Sequence, residues 1–128
     1  MMEGRLRHTF SRDERLKLRG EFRRCIQQGG RAAGTHIIVY VAGNDLGLTR
    51  LGAASTKRLG GAVRRNRGKR LVREAFRLVK HDLPLGIDLV VIPKTPWRDP
   101  SLEELKADLI GAVGRAAKEL ERRGPAGK

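Results

Sequence analysis

Between residues 57 and 77 lies the segment that most restricts what this chain can fold into. It carries nine cations (Lys57, Arg58, Arg64, Arg65, Arg67, Lys69, Arg70, Arg73 and Arg77) against one acid, Glu74. Leu71, Val72, Ala75 and Phe76, continued by Val79 just beyond it, recur at the spacing of an amphipathic helix. Like charges at neighbouring helical positions repel. A helix of this composition therefore needs a core on one side and a polyanion on the other. Arg65, Asn66, Lys69, Arg70, Arg73 and Arg77 share the side away from the apolar stripe. Same-face residues four apart lie about 6 Å apart along a helix, a length comparable with phosphate spacing. Arginine presents a planar fork that holds two phosphate oxygens. Asn66 can orient an arginine or read a sugar or base edge. The Gly60-Gly61 break leaves backbone N–H groups at the helix start for a phosphate.

The whole chain repeats this bias, with 128 residues and a net charge of +14. That length fits one domain, expected over 1–122, with a flexible basic tail over 123–128. Nucleic acid is the default partner for such charge, with a membrane surface second. No apolar run approaches a membrane span and the N-terminus lacks a signal-peptide core, so a cytoplasmic location is expected. Cys25 is the single cysteine, which excludes a disulfide framework and a thiolate cluster. His8, His36 and His81 stand far apart. No paired carboxylates, Ser-His-Asp set or Cys-His set is visible, so neither catalytic nor metal-ligating residues are expected.

Other elements follow from pattern. Ser11 and Glu14 have capping-box spacing. Phe22, Cys25 and Ile26 form one face of a short helix, ended at Gly29-Gly30 by a left-handed glycine cap. The β-branched run 37–41 predicts a strand. Residues 44–47 mark a turn, and 50–56 predict a second strand whose small residues suit close approach by another element. The cationic helix is predicted over 62–81 and a central, mostly apolar strand over 87–92. Ser101 and Glu104 cap a final helix carrying Leu105, Leu109, Val113 and Ala116 on one face. This order predicts an α/β layer protein with helices packed on a sheet.

The run Arg65-Asn66-Arg67, continued by Gly68 to Phe76, resembles the RNR motif of the bacterial ribonuclease P protein subunit. Phe10, the stretch 16–29 with Phe22, Tyr40, residues 50–52, the turn 56–60, Ala62-Val63 and residues 88–91 resemble other parts of that family in order and spacing. The resemblance implies an α+β fold: a mixed four-stranded sheet with helices packed on it, a left-handed βαβ crossover, and element order αβββαβα. It implies the RNA-binding subunit of an endoribonuclease that removes the 5′ leader of precursor tRNA. Catalysis would belong to a partner RNA and its Mg²⁺. The partners would be that catalytic RNA and precursor tRNA, with neither membrane nor DNA.

Carried over residue by residue, the resemblance assigns contacts to the catalytic RNA. These are Lys57, Arg58, Arg64, Arg65, Asn66, Arg67, Lys69, Arg70, Arg73 and Arg77. It assigns Phe22, Ile26, Tyr40, Ala54 and Thr56 to a leader-binding cleft between the first helix and the sheet. Stacked bases there are worth about 1–3 kcal/mol each without sequence demand. Ile26 and Ile37 replace aromatics found in relatives, making the cleft more aliphatic. Lys94 takes the place of a basic residue after the last strand. Gly68 sits inside the motif, where close approach of RNA backbone would explain it. Core packing also accounts for Phe22 and Tyr40. Cys25 reads as a small buried hydrophobe, Trp97 as a loop residue packed on the domain, and Asp88 as structural. The competing readings are a ribosomal-type RNA-binding protein, a protein-only nuclease and a DNA-binding helix-turn-helix.

Overall fold

The computed structural model describes residues 10–123. A short 3-10 turn at Arg12–Glu14 precedes α1 (Arg19–Gln28), β1 (Gly30–Ala33), β2 (Ile37–Gly43) and β3 (Arg50–Ala53). A second 3-10 turn (Lys57–Leu59) leads into α2 (Ala62–Val79), followed by β4 (Ile87–Pro93) and α3 (Leu102–Arg123). The four strands form one mixed sheet in the order β1-β2-β4-β3. β4 is central, antiparallel to β2 and parallel to β3. Parallel neighbours require a crossover, and α2 supplies it.

Strand alternation divides the molecule into two faces. Ile37, Val39 and Val41 of β2, with Leu89 and Val91 of β4, face α2 and α3 in the main core. α2 contributes Val72, Ala75, Phe76 and Val79 to that core. Phe76 is fully buried, a burial that contributes about 1.5–3 kcal/mol. The opposite face carries a smaller cluster of Leu16, Cys25, Ala42 and Val90, with Phe22, Tyr40 and Ile92 packed partly against it. α1 lies on that face.

Several local expectations change. Gly29 is extended, with φ −80° and ψ 164°, and forms no left-handed cap. Close approach is what demands glycine there: an added Cβ would lie 2.4 Å from Cys25 O and 2.6 Å from Val41 O. Gly30 opens β1, a strand that residue pattern did not locate because Gly-Arg-Ala-Ala has no β-branched residue. The strand expected over 50–56 ends at Ala53, although Ala54 N–H still donates to Val91 O at 3.0 Å. Ser11 N–H donates to Glu14 Oε1 at 2.8 Å, but the box closes a single 3-10 turn. The Ser101 box forms at both ends and starts α3. Residues 124–128 of the expected tail lie outside the described residues, and Arg123 is helical. Gly68 faces inward: an added Cβ would stand 3.2 Å from Leu59 Cδ2, so packing explains it rather than RNA backbone.

One ionic group joins α1 to the sheet. Asp88 is 1% exposed on the α1 face of β4. Arg50 Nε and Nη2 donate to its two oxygens at 2.8 Å each, and Arg50 Nη1 reaches Glu21 Oε2 at 3.0 Å. Asn44 Nδ2 adds a third donor to Asp88 at 2.8 Å. The fork from Asp88 is the main reason that the Arg50 guanidinium sits above its ordinary pKa. Cys25 Sγ lies 3.3 Å from both Tyr40 O and Asp88 O. Burial first, and the Asp88 charge second, push the Cys25 thiol up to about 12.

Two outcomes follow. Arg50→Ala leaves Asp88 buried and short of its fork, and should destabilise the chain by about 3–5 kcal/mol in urea denaturation. Cys25 should resist an aromatic disulfide reagent at pH 8 in the folded chain and react within seconds once unfolded, because folding holds it as the thiol. Rapid native-state reaction would contradict this placement.

Candidate nucleic-acid interface

The inward stripe of α2 comprises Gly68, Val72, Ala75, Phe76 and Val79. Asn66, Arg67 and Arg70 are therefore exposed, and Arg65, Lys69, Arg73 and Arg77 lie half-buried along the flanks. Lys57 and Arg58 are exposed on the turn just before the helix. Helical geometry thus gathers Lys57, Arg58, Arg65, Asn66, Arg67, Lys69, Arg70 and Arg73 into one cationic ridge. Among the described residues, none of these eight donates a side-chain hydrogen bond or forms an ion pair. Arg65 Nε is buried without a partner. Burial first, and the neighbouring Arg15 charge second, hold the Arg73 guanidinium below its ordinary pKa. Cations kept this close without carboxylates repel one another, and an incoming phosphate relieves that cost.

Two sequence-assigned members differ. Arg64 donates through Nε to Leu59 O at 2.8 Å and through Nη2 to Trp97 O at 2.6 Å, with Asp99 at 3.6 Å. Its guanidinium holds the preceding turn and the loop after β4 against α2. Arg77 forks onto Glu74 of its own helix, at 3.1 and 2.6 Å. That solvent-accessible, half-buried pair neutralises the end of the ridge and contributes little to stability.

The ridge continues onto residues that pattern reading overlooked. Leu16 N–H donates to Leu51 O at 2.9 Å, and Arg15 bridges Leu51 in parallel, so the N-terminal segment runs along the β3 edge. This places Arg12, Arg15 and Lys17 around one open pocket. Arg15 lies 4.6 Å from the centroid of the Phe10 ring, which meets Phe76 edge-on at 5.5 Å. Only their basic character was visible in sequence, because that stretch has weak periodicity.

The second surface is the part of the sheet that α1 leaves partly open. Phe22 is half-buried and its ring lies over Gly52, where an added Cβ would approach Cε2 and Cζ to 2.5 Å. The small residue expected to admit another element thus admits Phe22. Tyr40 and Ile92 are half-buried beside it, and Ile26 is 39% exposed on the helix rim. Ala54 is half-buried past the end of β3, and Thr56 is exposed at the following turn. Ile37 does not join them. It is fully buried on the α2–α3 face, and its neighbour Ile38 occupies the open face, because one residue reverses the side of a strand. Arg31 pairs with Tyr40 across β1 and β2, bringing an exposed cation alongside. Lys94 Nζ donates to Gly34 O at 3.0 Å at the end of the strip. No group of three or more His, Cys, Asp or Glu side chains among the described residues is placed to hold a metal ion. No described helix is long and apolar enough to cross a membrane.

Comparison with known proteins agrees with this arrangement. Residues 10–117 match the family model for Ribonuclease P. The ribonuclease P protein component of Brevibacillus brevis is 36% identical over 106 residues, covering 82% of this chain and 84% of that protein. The RNase P protein from Thermotoga maritima superposes with a TM-score of 0.72 at 32% identity, over 80% of this chain and 96% of the other. The Staphylococcus aureus RNase P protein gives 0.69 at 32% identity, over 84% and 97%. The sheet order, the placement of the cationic helix and these matches lead to one conclusion: the chain belongs to the ribonuclease P protein family.

Proposed function

We propose that this chain is the RNA-binding subunit of ribonuclease P, acting in removal of the 5′ leader from precursor tRNA. The observation that carries this is the α2 ridge. Of the nine cations between residues 57 and 77, only Arg64 and Arg77 find side-chain hydrogen-bonding partners among the described residues. The rest form a surface whose charge is left for a polyanion. In this reading Lys57, Arg58, Arg65, Asn66, Arg67, Lys69, Arg70 and Arg73 grip the catalytic RNA. Arg12, Arg15 and Lys17 extend the grip. Arg64 positions the loop after β4, and Arg77 closes the ridge through Glu74.

The partly open face takes the single-stranded leader. Phe22 and Tyr40 offer ring faces, Ile26, Ile38 and Ile92 offer aliphatic contact, and Ala54 and Thr56 leave room for backbone. Arg31 supplies charge for the leader's phosphates. The protein's described residues offer no cluster suited to a resident metal. As the family resemblance implies, Mg²⁺ would be held by the partner RNA and would supply the hydrolytic chemistry there. The chain's own residues bind and orient RNA, and the holoenzyme is the endoribonuclease. Assembly with that RNA places the protein in the cytoplasm.

The test is cleavage of precursor tRNA at low Mg²⁺ with RNA alone, protein alone, and both together. Leader release should rise only with both. Activity from protein alone, or no gain over RNA alone, would defeat the reading. Arg65→Ala with Arg67→Ala should lower affinity for the catalytic RNA and reduce the slope of log affinity against log salt by roughly 2. Phe22→Ala should weaken binding of leader-bearing substrate roughly 5- to 100-fold, while mature tRNA is held as before. A urea curve on each variant separates lost packing from lost contact.

A further inference from the structure

Beside the ridge, between α2 and the loop after β4, lies a pocket of about 400 Å³. That is within the roughly 300–1,000 Å³ usual for small-ligand sites. Leu71, Trp97 and Pro100 form its apolar walls, and Arg67 and Arg70 stand at its edge. Glu74 and Asp99 supply carboxylates. The residues of α2 involved are one stripe, at i, i+3, i+4 and i+7. The opposite wall is held in place by Arg64, which binds Trp97 O at 2.6 Å.

We propose that this pocket takes one unstacked guanine from a single-stranded segment of bound RNA. The proposal rests on the RNA-binding reading above. The apolar walls suit the flat face of a base, and unpaired bases are the usual targets of sequence-specific RNA recognition. Arg67 and Arg70 meet the phosphates on either side. The carboxylates decide which base. An ionised carboxylate only accepts hydrogen bonds. Guanine offers it two adjacent donors, N1–H and the N2 amino group. Adenine and cytosine offer one amino group next to an acceptor. Uracil offers one N–H between two carbonyls. Glu74 is already forked by Arg77, so Asp99 is the available acceptor: it is 59% exposed and meets Arg64 only at 3.6 Å. Asp99 holds a left-handed backbone at φ 50°, a conformation that Asp and Asn tolerate.

The experiment uses the full chain with two RNA pentamers, UUGUU and UUUUU, at one salt concentration. Trp97 is the single tryptophan, so its indole N–H resonance reports on the pocket without ambiguity. UUGUU should shift that resonance and bind about tenfold more tightly than UUUUU. Asp99→Asn keeps the backbone conformation and should abolish the preference, with the melting temperature confirming the fold. Equal affinity for the pentamers, or an unmoved Trp97 resonance, overturns the pocket. Loss of pentamer binding with retained binding of the catalytic RNA also overturns it and leaves the RNA-binding reading standing. Failure to bind the catalytic RNA as well overturns both.

Discussion

The carboxylate of Asp88 is the constraint on which the arrangement of this protein turns. An ion at 1% exposure is tolerable only when paired and hydrogen-bonded. Its partners come from separate elements: Arg50 from β3, Asn44 from the turn after β2, and, more distantly, Arg24 of α1 at 3.7 Å. Arg50 in turn reaches Glu21 at the start of α1. Satisfying one charge therefore brings a helix, a turn and an edge strand into register on the central strand. Hydrophobic area alone would not set that orientation, because α1 buries only Cys25 fully. Phe22 reaches its place over Gly52 because the polar group anchors the helix that carries it.

The sheet keeps two kinds of chemistry apart. One face is closed by α2 and α3 and holds the aliphatic core. The other is closed by α1 only in part. α2 serves both purposes within one helix, packing Val72 and Phe76 inward while directing Arg67 and Arg70 outward. Gly68 allows that helix to lie close to Leu59. The ion pair between Glu14 and Lys80, at 2.6 Å, ties the N-terminal turn to the far end of the same helix. Burial alone would raise the Glu14 pKa, yet the hydrogen bonds from Lys80 and Ser11 together bring it below its ordinary value of 4.5. This tether is thus fully present above pH 4.5 and is lost as pH falls through the lower folded value.

The elements with strong periodicity are legible in the sequence itself. The stripe of α2, the β-branched run of β2 and the Ser101–Glu104 cap of α3 each express a local rule. β1 was invisible because its four small or charged residues become a strand only by lying against β2 and α3. Gly30 is there for α3, whose Ala116 O would lie 2.2 Å from an added Cβ. Ile37 was assigned to the wrong face because a strand's phase depends on register, which composition does not reveal. The different uses of Arg64 and Arg70 were equally hidden. Both are arginines in a cationic run, and only the loop carrying Trp97 distinguishes them. The Asp88 group joins residues up to 67 positions apart, from Glu21 to Asp88, and nothing in their local sequence links them.

The alternation along β2 has a further consequence. Ile37, Val39 and Val41 serve the core while Ile38, Tyr40 and Ala42 belong to the other face. A slip of this strand by one position would drive Tyr40 into the interior and turn Val39 outward. No intermediate register preserves one purpose at the expense of the other. A chain that has assembled its interior correctly has, by that act, already presented the side chains of its partly open face, so a misregistered copy would be rejected by its own core before that face met any partner.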